Sequence, residues 1–273
     1  VGTVGKKRYS IDELRAFKLA YGRSIQGEDY LINIIIPAIL GGVMAHLLLH
    51  YILLTIAMTI FGGVYGYFIL FPANIKRFYE RNSFDQRNKF VNNITQVMSA
   101  PSITVYVVLN DMIDLYSGEF KERLIVLVSQ LSDASTDEYH EYFQQFASYY
   151  DKDVIFTQYI DILETSSVEG TNNLESLKKT TTFHNDIKTF RNMLVENKNR
   201  ALKYAKAGHS LILLLIIACH FRIEPITFEN YLKYFSHHPI GWGVSIFYLF
   251  GVLHTMTHFM KTYFDDDVLE VDM

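Results

Sequence analysis

The chain has 273 residues, 49% of them hydrophobic, with a formal net charge of −4, ten histidines and one cysteine. That near-neutral balance argues against a dedicated nucleic-acid binder, which carries a basic excess. The lone Cys219 excludes an intramolecular disulfide and any cysteine-based zinc or iron–sulfur site built from one chain. A mean hydropathy of +0.09 averages two regimes, very apolar ends and a polar middle.

Residues 1–29 form a cytoplasmic N-terminal segment carrying Lys6, Lys7, Arg8, Arg15, Lys18 and Arg23 against four acids. Ser10 followed by Glu13 has capping-box spacing and predicts a helix from Ile11 to Leu19, with Leu14, Phe17 and Tyr21 as its apolar stripe. Two placements are open for it, along a membrane surface or as a plain cytoplasmic lead-in. No secretory signal is expected, since the first apolar run starts at residue 30 and is double.

Tyr30 to Ile75 is 46 residues without Asp, Glu, Lys or Arg. A hydrocarbon core of roughly 30 Å takes about 20 helical residues, so the run is too long for one span and right for two. Residues 30–71 are therefore a transmembrane hairpin, Leu31 to His50 and Tyr51 to Phe71, turning between His46 and Tyr51. Lys76, Arg77, Arg81, Arg87 and Lys89 follow at once, and positive charge flanking a span marks the cytoplasmic side.

Residues 72–206 have the size of a domain and read as a cytoplasmic bundle of six to seven helices. A segment from Phe84 to Met98 leads to Pro101, which a first helical turn tolerates. Val105, Val108, Leu109 and Met112 mark the next helix, ending at Ser117 and Gly118; Leu124, Leu127, Val128 and Leu131 give a buried face. Ser135 with Glu138 opens Tyr139 to Tyr149, and Val154, Ile155, Ile160 and Leu163 belong to a helix ending at Glu169 and Gly170. Asn172 with Glu175 has capping spacing, and Leu174, Leu177, Ile187, Phe190, Leu194 and Leu202 predict a long last helix, with a kink or break near Thr180 to Thr182. Short connections imply antiparallel neighbours.

Residues 207–260 hold two more spans. Ala207 to Phe221 is short, but the preceding helix can run into it; Ile240 to Met260 is uncharged, with Trp242 near one end. Residues 222–239 make an outside loop, and 261–273 an acidic tail with Asp265, Asp266, Asp267, Glu270 and Asp272. The fold class is all-α membrane protein: N-terminal transmembrane hairpin, helical cytoplasmic bundle and C-terminal pair of transmembrane helices, multi-pass in the cell membrane with both termini cytoplasmic.

The chemistry is thin. No P-loop, strand-borne GxGxxG, HExxH or GxSxG is present, so no enzyme and no cofactor are expected. His46 with His50 and His254 with His258 each fall at i, i+4, which puts two imidazoles on one helix face. They carry the alternative of a metal- or haem-binding redox protein, against ordinary interfacial histidines. A more informative pattern is charge. Residues 131–170 hold nine acids against Lys152, whereas 72–89 and 178–206 hold thirteen basic residues against four acids. The basic stretches adjoin the apolar runs and suit anionic lipid. Asp133, Asp137, Glu138, Glu141, Asp151, Asp153, Asp161 and Glu164 are candidates for docking a basic cytoplasmic partner, against the plain alternative of a solvated acidic face.

This layout resembles the platform proteins of type II secretion, type IV pilus and Tad-type pilus machines (the type II secretion system F family). The resemblance is strongest from Phe156 to Lys206. There Glu169 and Gly170 end a helix, and Asn173, Leu174 and Leu177 open a long basic one, with Asn172 where the family has a second glycine. LYSGEFKERL, from Leu115 to Leu124, matches the earlier glycine turn more weakly. The resemblance implies a non-enzymatic scaffold that contacts a hexameric secretion ATPase and passes its motion to pilin-like membrane subunits. It also implies a homo-oligomer or a pair with a second platform protein, although no heptad seam is evident that would fix a number. An unrelated membrane receptor or scaffold shares the same topology.

Overall fold

The computed structural model describes residues 9–100, 103–170, 173–222 and 227–264, with 213 and 216–222 by backbone alone. Expectations on Lys6, Lys7, Arg8, Pro101, Asn172 and the acidic tail from Asp265 lie outside these residues, as does the His220 side chain. The described residues are helical, with no strand among them. Three helices are long and apolar enough to cross a bilayer, Gly27–Leu49, Ile52–Val97 and Pro239–Phe264, which marks a membrane protein. The chain divides into two units. One takes in residues 25–76 and 195–264, the other 11–24 and 77–194.

In the first unit, α2 (Gly27–Leu49) and the start of α3 (Ile52–Val97) form a close helical pair. Each contains one wide π-type turn, Leu31–Ile35 and Gly66–Leu70. The corner between them needs only His50, in the left-handed region at φ 50°, and the extended Tyr51. Small residues let the two backbones touch. A Cβ on Gly62 would lie 2.5 Å from the Pro37 carbonyl oxygen and one on Gly41 2.9 Å from that of Met58, while one on Gly66 would overlap the Asn33 carbonyl. Large side chains such as Ile32, Ile39, Leu53, Ile56 and Ile60 point outward. Small inside and large outside inverts the pattern of a water-soluble core and is how helices associate in lipid, where packing rather than apolar burial drives contact. The buried Asn33 is paired, accepting from Asn74 Nδ2 and donating to the Asp29 carbonyl at 2.7 Å.

Residues 222–239, expected as a loop, are helical over most of their described length. Thr227 caps α9 (Phe228–Tyr231), accepting from the Asn230 N–H at 3.3 Å, and the helix widens through Leu232–Ser236. The Thr227 cap and Glu229 in the first turn favour a helix start there. This short helix closes the end of α2. Tyr231 donates its hydroxyl to the Leu47 and Leu48 carbonyls at 3.2 Å each, and Ser236 donates to that of Leu49. Those carbonyls have no partner within α2, and lipid offers none. Next, α10 (Pro239–Phe264) lays Gly241 on the Phe235 carbonyl and packs Leu249 with Leu48 and Leu49.

In the second unit, α1 (Ile11–Ala20) packs on helical protein, which neither sequence placement anticipated. Leu14 is 4% exposed. Phe17 and Tyr21 meet the Tyr79 ring at 4.8 and 5.5 Å. The Ala20 carbonyl rests on Gly118, which has φ +64° and no room for a Cβ. The body continues as α4 (Val105–Met112), α5 (Gly118–Asp133), α6 (Tyr139–Ser148), α7 (Val154–Glu169) and α8 (Leu174–Arg222). Phe90 of α3, Phe120 of α5, Phe146 of α6 and Phe156 of α7 meet edge-to-face or tilted at 5.4–6.2 Å, forming the centre of one core. α5 buries Leu124, Leu127, Val128 and Leu131 as the spacing predicts.

No break interrupts the chain near Thr180, where a kink or break was expected: α8 is one helix of 49 residues. Its apolar spacing slips because the face turned to the body is polar there: Thr180, Thr181 and His184 follow the buried Leu177.

Candidate functional site

The sequence-predicted acids separate into an exposed set and one buried member. Asp133 ends α5, Asp137 and Glu138 lie in the turn Thr136–Glu138, Glu141 is in the first turn of α6, and Asp151 lies between α6 and α7; all are exposed. The capping box forms as its spacing predicts, with the Glu138 carboxylate accepting from the Ser135 N–H and Oγ at 2.8 Å each. Those hydrogen bonds hold the Glu138 carboxyl below its ordinary range. On α7, Asp161 accepts from Gln144 Nε2 at 2.9 Å and the partly buried Glu164 pairs with His140 Nδ1 at 2.8 Å. An open groove of about 520 Å³ runs between α6 and α7, with Asp151 and Asp161 in its wall beside Ala147, Val154 and Thr157.

Asp153 is not part of that surface. It is 5% exposed, 2.7 Å from Arg87 Nε and 3.4 Å from His184 Nε2, and its other oxygen accepts the Phe156 N–H at 3.1 Å as the N-cap of α7. Burial alone would raise its pKa. The His184 hydrogen bond and the Arg87 charge outweigh burial and hold the carboxyl at about 2. A carboxylate that ties α3, α7 and α8 together has no oxygen left for a partner.

His184 belongs to a polar seam between α3 and α8 that sequence reasoning missed. Asn88 Nδ2 donates to His184 Nδ1 at 3.0 Å, which leaves Nε2 to carry the proton donated to Asp153. Asn88 also donates to Asn185 and accepts from Lys188 Nζ, each at 2.8 Å. Asn92 and Asn185 exchange amide hydrogen bonds at 2.9 Å in both directions. Deeper in, Thr95 joins Tyr159 at 2.8 Å and Thr181 at 2.7 Å. The signal was present as polar residues at helical spacing, Asn88, Asn92 and Thr95 opposite Thr181, His184 and Asn185, but an apolar-stripe search passes over it.

The turn on which the resemblance rests has Gly170 in the left-handed conformation at φ 62° after Glu169, and Asn173 ahead of Leu174, with its carbonyl accepting from the N–H of the fully buried Leu177 at 3.0 Å. In the membrane unit, the His46 and His50 rings lie 5.2 Å apart. His254 and His258 lie on α10. Among the described residues no three metal-ligating side chains come together, so neither pair gains further ligands.

The uncharacterized protein pXO2-23 of Bacillus anthracis is 36% identical over 269 residues, which cover 98% of this chain and 96% of that protein. The chain belongs to the pXO2-23 family. A match of that extent runs through the sequence of both units. No family model matches the sequence. No solved structure matches it.

Proposed function

We propose that this protein is a membrane platform of a type II secretion, type IV pilus or Tad-like pilus machine, coupling a cytoplasmic secretion ATPase to pilin-like subunits in the membrane. In this reading it crosses the cell membrane four times, through α2, the start of α3, residues 207–221 of α8 and α10, with both termini and the helical body in the cytoplasm. Basic residues beside the spans, Lys76, Arg77, Lys203 and Lys206, agree with that sidedness.

One observation carries the reading. α3 and α8 each join an apolar stretch to a body stretch in a single helix, and the polar seam stitches their body stretches together. A displacement applied to the body is thereby passed along two helices rather than lost in linkers. The exposed acids around α6 and α7 supply a surface where complementary charge would orient a basic face of the ATPase.

The test is co-purification of the cognate ATPase with the detergent-solubilised full chain. Reversing Asp137, Glu138, Glu141 and Asp161 to Lys is expected to lower the retained ATPase at least tenfold. Retention unchanged by the four substitutions removes the docking assignment.

A further inference from the structure

Each helix of the membrane hairpin widens once into a π-type turn, and each of those turns has a proline just behind it. Pro37 stands two residues after Leu31–Ile35, and Pro72 two residues after Gly66–Leu70. A proline has no N–H for the carbonyl four residues back, and its ring crowds that carbonyl. The carbonyls concerned belong to Asn33 and Phe68, the middle residue of each turn. Widening the turn relieves the crowding, and in lipid such an adjustment keeps the backbone paired where a break would not. The two turns lie against each other: the Asn33 carbonyl rests on Gly66, where a Cβ would overlap it.

We infer that the hairpin is jointed at this level: its corner half, residues 36–65, swings as one body on the paired π-type turns, with the Asn33–Asn74 hydrogen bond as the pin. The halves on either side are each tightly held. Toward the His50 corner, Gly41 and Gly62 put the two backbones in direct contact. Away from it, Tyr30 stacks on Phe71 at 5.1 Å, and Phe71 and Ile75 are 1% and 2% exposed. Between the halves the buried Asn33 accepts from Asn74 Nδ2 across the pair and donates to the Asp29 carbonyl on its own helix. The pairing carries the inference. One widened turn beside a straight α-helix would be splinted by its neighbour, whereas two at the same level let both helices bend together. A shared bend keeps the glycine contacts on one side and the Tyr30–Phe71 stack on the other. The joint thus gives the hairpin a change of tilt without loss of helical hydrogen bonding. The inference needs the hairpin in a bilayer, but it needs no ATPase.

The experiment is a pulsed spin-label distance measurement on the full chain in phospholipid nanodiscs, with Cys219→Ala as the background. Labels at Glu28→Cys and Leu53→Cys span the joint, and labels at Ile36→Cys and Leu53→Cys lie wholly in the corner half; all three positions are exposed. The spanning pair is expected to give a distance distribution at least twofold wider than the pair within the corner half. Pro37→Ala with Pro72→Ala restores both N–H donors and is expected to narrow it to the width of that internal pair. Asn74→Leu keeps both prolines, removes the pin and is expected to widen it further. Fraying of the helix at Glu28 would respond to neither change. A spanning distribution no wider than the internal one, or one that neither variant alters, overturns the inference. ATPase retention plays no part in this readout, so the joint and the platform reading fail separately.

Discussion

Asp153 answers to three donors at once, the Arg87 guanidinium, the His184 ring and the Phe156 amide. Removing its charge leaves Arg87 buried among the Phe84, Tyr150 and Phe156 rings without its counter-ion. Asp153→Asn should therefore cost about 3–5 kcal/mol, the usual consequence of breaking a buried pair, read as thermal unfolding of the detergent-solubilised chain. The pH dependence has a definite sign. Because the folded-state pKa lies below the ordinary 3.8, its contribution is complete above pH 4 and fades as pH falls toward 2. That contribution amounts to about 2 kcal/mol. A titration in which wild type and Asp153→Asn lose stability in parallel between pH 4 and 2 would contradict the assignment.

Among the elements, the membrane hairpin depends on what its helices lack. Gly62 brings α3 onto the Pro37 carbonyl, whereas Gly251 on α10 has open space around it. Gly62→Leu is expected to lower stability by about 1–3 kcal/mol as the helices are forced apart, and Gly251→Leu to leave it unchanged. Thermal midpoints of the two variants in detergent measure the difference, and equal midpoints would refute the close packing. The other end of α2 is completed by Tyr231 and Ser236, which lie more than 180 residues further along the chain. α1 offers a contrast, since a residue without a side chain, Gly118, makes its landing place.

In the whole molecule, the two longest helices each hold an apolar and a polar stretch. α3 carries its span and Phe90, Val91 and Ile94 of the body core in one helix. α8, about 74 Å long at 1.5 Å per residue, begins in the body with the buried Leu177 and reaches Arg222. Three apolar helices make the chain a resident of the bilayer, and alkaline washing of membranes is expected to leave it in the pellet while detergent releases it. Protein recovered in the alkaline supernatant would overturn that placement.

Much of this was legible in the residues themselves. The uncharged 46-residue run, the turn at His50, the Ser135 capping box and the α5 stripe follow from local chemistry, in which periodicity, charge and caps act over a few residues. Tertiary structure alone decided what depends on distant partners. It placed α1 on the body, gave the α2 carbonyls to Tyr231 and Ser236, withdrew Asp153 from the acidic surface, and turned the gap at Thr180 into a polar seam. A polar residue on a helix reads as surface until its hydrogen-bond partner is known, and these partners lie 31 to 187 residues away.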